Sequence, residues 1–143
     1  MAARPRRDRR AAREAAMRLL FEASMRGGDP LDLFASRQHE LGLAADARAY
    51  TATLIEEVAA RLGDLDATIS ELAPAWPIAQ MAQLEVAILR IGIAEIDSGR
   101  VPPAVAINEA VELAKQYCTE GGRRLVNGAL GTHVRRQADS PAS

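Results

Sequence analysis

From Asp8 onward, Ala12, Ala16, Leu19, Leu20 and Ala23 recur at three- and four-residue intervals, the spacing that lines one face of a helix. The run predicts a helix over Asp8–Met25, stopped by the two glycines and the proline of "RGGDP". Asp29 then reads as an N-cap with Pro30 at the first helical position, and Leu31, Phe34 and Leu41 give a short second helix ending at Gly42. A third begins near Asp46, carries Tyr50, Leu54, Val58 and Leu62 on one face and stops at Gly63; a fourth covers about Leu65–Leu72. "APAWPIAQ" breaks the chain, and Pro77 can open the next helix.

Residues 78–97 form the most apolar helical segment. On a helical wheel Gln80, Gln83, Arg90 and Asp97 share one narrow polar stripe, and nearly everything else is hydrophobic. Glu85 is the exception, placed among Met81, Ile88, Leu89, Gly92 and Ile96, where an unpaired carboxylate would cost several kcal/mol. Two readings stand: an internal partner such as an arginine or a helix N-terminus, or an exposed groove for a protein partner, with Gly92 allowing close approach. In "SGRVPPAVAINEAVELAKQYCTEGG", Ile107, Val111, Ala114 and Cys118 line one side of a surface helix, and Asn108, Glu109, Glu112, Lys115 and Gln116 the other. The last helix, about Gly122–Gln137, buries Leu125, Val126, Ala129, Leu130 and Val134 and leaves Arg124, Gly128, Gly131 and Arg135 on a second face. Those glycines bare the backbone toward a phosphate chain or pack against a neighbouring helix.

Length and composition narrow the class. With 143 residues, 48% hydrophobic and only 3% aromatic, the chain suits one all-α domain built on alanine and leucine. The expected organisation is a flexible arginine-rich arm over 1–7, one helical domain over 8–137 and a disordered tail over 138–143. The single cysteine, Cys118, excludes an internal disulfide and a zinc ribbon, and its apolar neighbours mark a packed thiol rather than a nucleophile. No signal peptide or bilayer-spanning run is present, which points to a cytoplasmic protein without membrane contact. His39 and His133 have no adjacent serine, cysteine or metal-ligand spacing, and no phosphate-binding glycine loop occurs. No catalysis and no cofactor are expected.

Charge changes the picture more than composition does. The net charge is −1, yet residues 1–26 carry eight basic and three acidic groups (+5), residues 27–120 six and fifteen (−9), and residues 121–143 four and one (+3). Six arginines fall within the first thirteen residues and lead directly into a helix. Two basic ends around an acidic middle suggest a surface for a polyanion; a solvated arginine tail is the plainer alternative.

Three segments in order, "RRAAREAAMRLLF", "LEVAILRIGIAEI" and "VPPAVAINEAVELAKQYC…RRLVNGAL", resemble the NusB family of bacterial transcription antitermination factors over about Arg9–Leu130. The resemblance implies about seven helices in two small packed bundles. It also implies binding of the boxA element of nascent ribosomal RNA together with ribosomal protein NusE, within the RNA polymerase antitermination complex, promoting processive transcription of rRNA operons. By position Arg6, Arg7, Arg9, Arg10 and Arg13 inherit a grip on RNA, with Arg4 and Arg18 in the same basic set and Phe21 at the place of a family aromatic near the RNA. Arg124 and Leu125 fall where the family has a basic residue and a phenylalanine before "VNG", and Arg123 beside them joins the expected RNA-binding set. Leu125 departs from that pattern, as does Gly121–Gly122 from an acidic-serine pair that caps the last helix. Glu85 matches a glutamate near the NusE surface, which with Gly92 gives the expected protein contact. Rival readings are a homodimeric protein scaffold with a masked RNA surface, and a stand-alone relative of the RNA-binding domain of rRNA cytosine methyltransferases. The absence of a catalytic domain after Ser143 favours a free-standing factor.

Overall fold

A computed structural model describes residues 5–139 of the chain, with side chains from Asp8 on; the expected contributions of Arg4 and of residues 140–143 lie outside the described residues. The described residues form seven α-helices that fall into two compact units, one ending at Arg61 and the other starting at Leu62. The all-helical fold in two bundles therefore holds.

In the first unit α1 spans Pro5–Arg26, α2 Pro30–Arg37 and α3 Ala45–Ala60. α1 starts three residues before the expected Asp8, because proline suits the first helical turn, where its missing N–H has no acceptor to satisfy. α1 packs on α3 and α2. The alanines at 12, 16 and 23 are buried and let helix axes approach, while Leu54, Ile55 and Val58 of α3 are fully enclosed, each contributing roughly 1.5–3 kcal/mol by burial. The buried stripe of α3 runs through Ala47, Thr51, Leu54, Ile55 and Val58, so Tyr50 and Leu62 lie off it. Thr51 passes as a core residue because its hydroxyl donates to the Ala47 carbonyl at 2.8 Å. Asp29 caps α2 as expected, accepting from the Leu31 N–H at 2.9 Å. α2 ends at Arg37 rather than Gly42, and Arg37 makes a two-pronged ion pair with Glu22 of α1. Hydrogen bonding to Arg37 holds the Glu22 carboxyl below its usual range, so this tie is complete at neutral pH and is lost as acid protonates Glu22.

The second unit contains α4 (Leu62–Leu72), α5 (Gln83–Ser98), α6 (Pro103–Tyr117) and α7 (Glu120–Asp139). α5 is the central element, packed against the other three. The expected helix over 78–97 is interrupted: Ile78–Gln80 form one 3-10 turn, and Met81 and Ala82 are extended before α5 begins. Met81 turns inward and is buried, and helical periodicity cannot register a two-residue break when Gln80 before it and Gln83 after it still fall on one stripe. The polar stripe of α5 supplies ties to its neighbours. Arg90 donates to both carboxylate oxygens of Asp66 on α4, at 2.8 and 2.9 Å, and Asp97 pairs with His133 of α7 at 2.7 Å. Gly99, in the left-handed region at φ 72°, ends the helix.

Two expectations are corrected here. Gly92 does not open a partner groove: it is buried, and a Cβ built on it would stand 2.7 Å from Leu130 Cδ1, so its missing side chain makes room for α7. Glu109 is buried rather than solvated, as is Glu95 at 1% exposure. Both carboxylates have partners, which is the condition for burying them. The inner face of α6 consequently runs through Ala106, Glu109, Ala110, Leu113 and Ala114, and Ile107, Val111 and Cys118 are only half-buried.

Candidate nucleic-acid interface

The first basic surface follows α1. Helical spacing distributes its arginines around the axis, and their environments differ. Arg10 and Arg18 are exposed and Arg9 is half-buried, its guanidinium 4.8 Å from the centre of the Tyr50 ring on α3. Arg13 is only 3% exposed, also beside Tyr50 at 5.9 Å. The expectation that Arg13 reaches RNA is corrected: its charge is spent inside the fold, against an aromatic face that attracts cations. Tyr50 thus anchors two guanidinium groups instead of filling an apolar stripe. Arg6 and Arg7 lie in the first turns of α1, their side chains outside the described residues. Phe21 is half-buried on the same helix.

The second surface lies within the second unit. A groove of about 540 Å³ is walled by Trp76, Met81 and Glu85 on one side and by Gly122, Arg124 and Leu125 of α7 on the other. Folding gathers these residues from the loop after α4, the start of α5 and the start of α7. Of the expected site residues, Glu85, Arg124 and Leu125 therefore come together, and Gly92 is not among them. Leu125 is half-buried rather than a core residue of α7, which instead buries Val126, Ala129 and Leu130. Arg124 is 76% exposed and donates to the Glu120 carboxylate at 2.8 Å; Arg123 lies 3.7 Å from the same carboxylate.

Glu85 sits in the first turn of α5, where the helix dipole favours an acid. Its Oε2 occupies space over Gly122: a Cβ there would stand 2.4 Å from it. Glycine at 122 is thus what lets the carboxylate settle against α7. The capping duty of the missing acidic-serine pair passes to Thr119, whose hydroxyl accepts from the Gly122 N–H at 3.1 Å and whose carbonyl accepts from Arg123 at 2.9 Å. Burial, and then the charge of Glu85, push the Cys118 thiol up to about 11, so it stays protonated and unreactive at neutral pH. Among the described residues no cluster of three or more histidine, cysteine or acidic side chains could hold a metal ion, and no helix is long and apolar enough to cross a membrane.

The NusB family profile matches residues 10–135, from the arginine strip of α1 to the end of the basic face of α7. The chain belongs to the NusB family. It is 42% identical over 125 residues to the transcription antitermination protein NusB of Saccharopolyspora erythraea, covering 86% of this chain and 84% of that protein. The fold matches T. maritima NusB with a TM-score of 0.80 at 26% identity, over 89% of this chain and 90% of that one. It also matches a chain in a crystal structure of the antitermination factors NusB and NusE in complex with dsRNA, with a TM-score of 0.81 at 26% identity, over 91% and 98% of the two chains. A second relative, the transcription antitermination protein NusB of Roseiflexus sp., is 38% identical over 131 residues, covering 90% of this chain and 92% of that protein.

Within this NusB-family fold, two groove residues escaped the reading of the sequence. Trp76 belongs to no helical stripe, and Thr119 precedes a helix whose start was placed at Gly122. The signal for Trp76 was present: one large aromatic between Pro74 and Pro77, in a loop with no hydrophobic face to bury it. Tyr50 could be found only by knowing which side of α3 meets α1.

Proposed function

We propose that this chain is an RNA-binding antitermination factor that takes the boxA element of nascent ribosomal RNA together with ribosomal protein NusE and keeps RNA polymerase processive on rRNA operons. The observation that carries this reading is the likeness over nearly the whole chain to a NusB found with NusE and dsRNA. The α1 arginines suit that role as a source of phosphate contacts: Arg10 and Arg18 are exposed, and Arg9 is held by Tyr50 near the same helix. Arg4, Arg6 and Arg7 extend the same basic run in sequence, and Phe21 adds an apolar edge. On α7, Arg123 and Arg124 offer charge beside Leu125, and Glu85 offers a carboxylate to NusE. The chain works by binding, in the cytoplasm, without a catalytic step.

The test is retention of a labelled boxA RNA by the full chain with and without NusE. Binding that tightens when NusE is added is the expected result. A homodimeric scaffold with a masked arginine surface gives no shift in either case and a concentration-dependent mass instead.

A further inference from the structure

The sole tryptophan of the chain has no structural task that accounts for its position. Trp76 is 57% exposed, whereas the turn that carries it is well fixed: its N–H donates to the Ala73 carbonyl at 3.0 Å, Ala73 is buried, and Pro74 and Pro77 restrict the backbone on either side. A short proline-flanked turn therefore presents an indole to solvent on the wall of the groove shared with Leu125 and Arg124. An exposed tryptophan contributes little to folding, and a large amphipathic ring held in a preset geometry is suited to binding. We propose that Trp76 is a stacking platform for one unpaired nucleobase of the bound RNA, which seats in the groove between the indole and Leu125.

The Trp76, Leu125 and Arg124 part of the walls suits a base. The indole offers a π-face, which any base can stack on, and Leu125 supplies an apolar surface for the base's other face or edge. Arg124, mostly exposed at the rim, can follow the phosphate attached to that base, and Arg123 lies beside it. The volume of about 540 Å³ is within the 300–1,000 Å³ range usual for small-ligand clefts. This assignment rests on the RNA-binding reading and adds to it a residue and a mode of contact that the arginines cannot supply, since phosphate contacts carry charge and not base recognition.

The experiment uses the full chain with NusE and end-labelled boxA RNA, following RNA anisotropy and indole emission together; Trp76→Phe serves as the blank for emission from NusE. RNA is expected to quench the indole. Trp76→Ala is expected to weaken RNA binding roughly five- to a hundredfold, the range of one lost base stack, with an unchanged salt slope and an unchanged melting temperature. Trp76→Phe should recover most of the affinity, because a smaller ring still stacks. RNA affinity unaltered in Trp76→Ala overturns the proposal, as does binding without quenching. So does a loss confined to NusE affinity measured without RNA, which would make the indole a protein contact. Each of these outcomes leaves the RNA-binding reading standing, whereas failure of the wild-type chain to retain RNA with NusE removes both.

Discussion

The α1 strip and the α7 groove are surfaces of different make. The strip is continuous in sequence: its arginines are visible as a run, and their collective charge is its only specificity. The groove is assembled from residues 76 to 125, carries few charges and gains its character from shape, an exposed ring and a carboxylate seated over a glycine. One surface is suited to affinity that salt can screen, the other to recognition that salt barely touches. The fold also shows that a charge run is not a uniform surface. Arg13 belongs to the run and is withdrawn into the protein, where Tyr50 meets its guanidinium.

The largest expected effect breaks the comparison on the side of the strip. Changing Arg6, Arg7, Arg9 and Arg10 together to alanine should weaken boxA binding steeply at low salt and flatten the logarithmic salt slope by about 0.7 for each phosphate contact removed. The melting temperature should fall slightly, since Arg9 leaves the Tyr50 ring, a contact worth about 0.5–1 kcal/mol. Arg13→Ala is the internal comparison: about 2 kcal/mol of stability lost through packing and a broken buried contact, with the salt slope intact. Titrations at several salt concentrations, paired with melting curves, distinguish the two. A flattened slope in Arg13→Ala would return that residue to the RNA surface.

How far the sequence foretold this arrangement depends on the kind of signal. Helix number and type were legible because alanine- and leucine-rich stripes repeat over long stretches, and because glycine and proline mark the gaps. The Asp29 cap with Pro30 behind it was legible for the same local reason. What failed was everything settled by a neighbouring helix. Glu109 occupies the inner face of α6, a placement that its polarity argues against and that only a buried partner allows. Met81 turns inward at a place where the helical stripes of the sequence, polar and apolar, run on unbroken. In the groove, Glu85 was legible as a misplaced carboxylate, but its two suggested explanations, internal partner or exposed partner groove, are not exclusive: it rests against the start of α7 and faces a groove as well.

The intermediate effect sharpens the groove side. Glu85→Ala should weaken NusE binding by roughly 1–3 kcal/mol, the value of a charged hydrogen bond, with little change in folding stability because the side chain is only half-buried. Gly122→Ala should reproduce part of that loss by displacing the carboxylate rather than removing it. The added methyl would displace Oε2, which the flexible end of a glutamate allows, and would also stand 3.0 Å from Cys118 Cβ, so the melting temperature should fall somewhat as well. Calorimetric titration of both variants against NusE is the measurement. Wild-type affinity together with a large drop in melting temperature would mean that Glu85 holds α5 to α7 and meets no partner.

The smallest effect concerns Leu125. If the groove receives a base, a ring at this position would enlarge the apolar wall facing Trp76, so Leu125→Phe should strengthen RNA binding by the isolated chain by about 1 kcal/mol, the lower end of a stacking contact. The gain is modest because the indole already offers a π-face to the same space. No charge changes, so the salt slope should stay where it is. The opposing physical effect is overpacking, which costs about 1–3 kcal/mol when extra carbon enters a filled core. Leu125 is half-buried on the groove wall and off the stripe of Val126, Ala129 and Leu130, so the ring has open space on one side and the melting temperature should hold. A melting curve and an RNA titration on the same variant decide between the two. Lower stability with unchanged affinity would place the side chain in the core and leave base recognition to Trp76 alone. In Trp76→Ala, by contrast, Leu125→Phe should give a larger gain than in the wild-type chain, since the new ring would then be the groove's only aromatic wall.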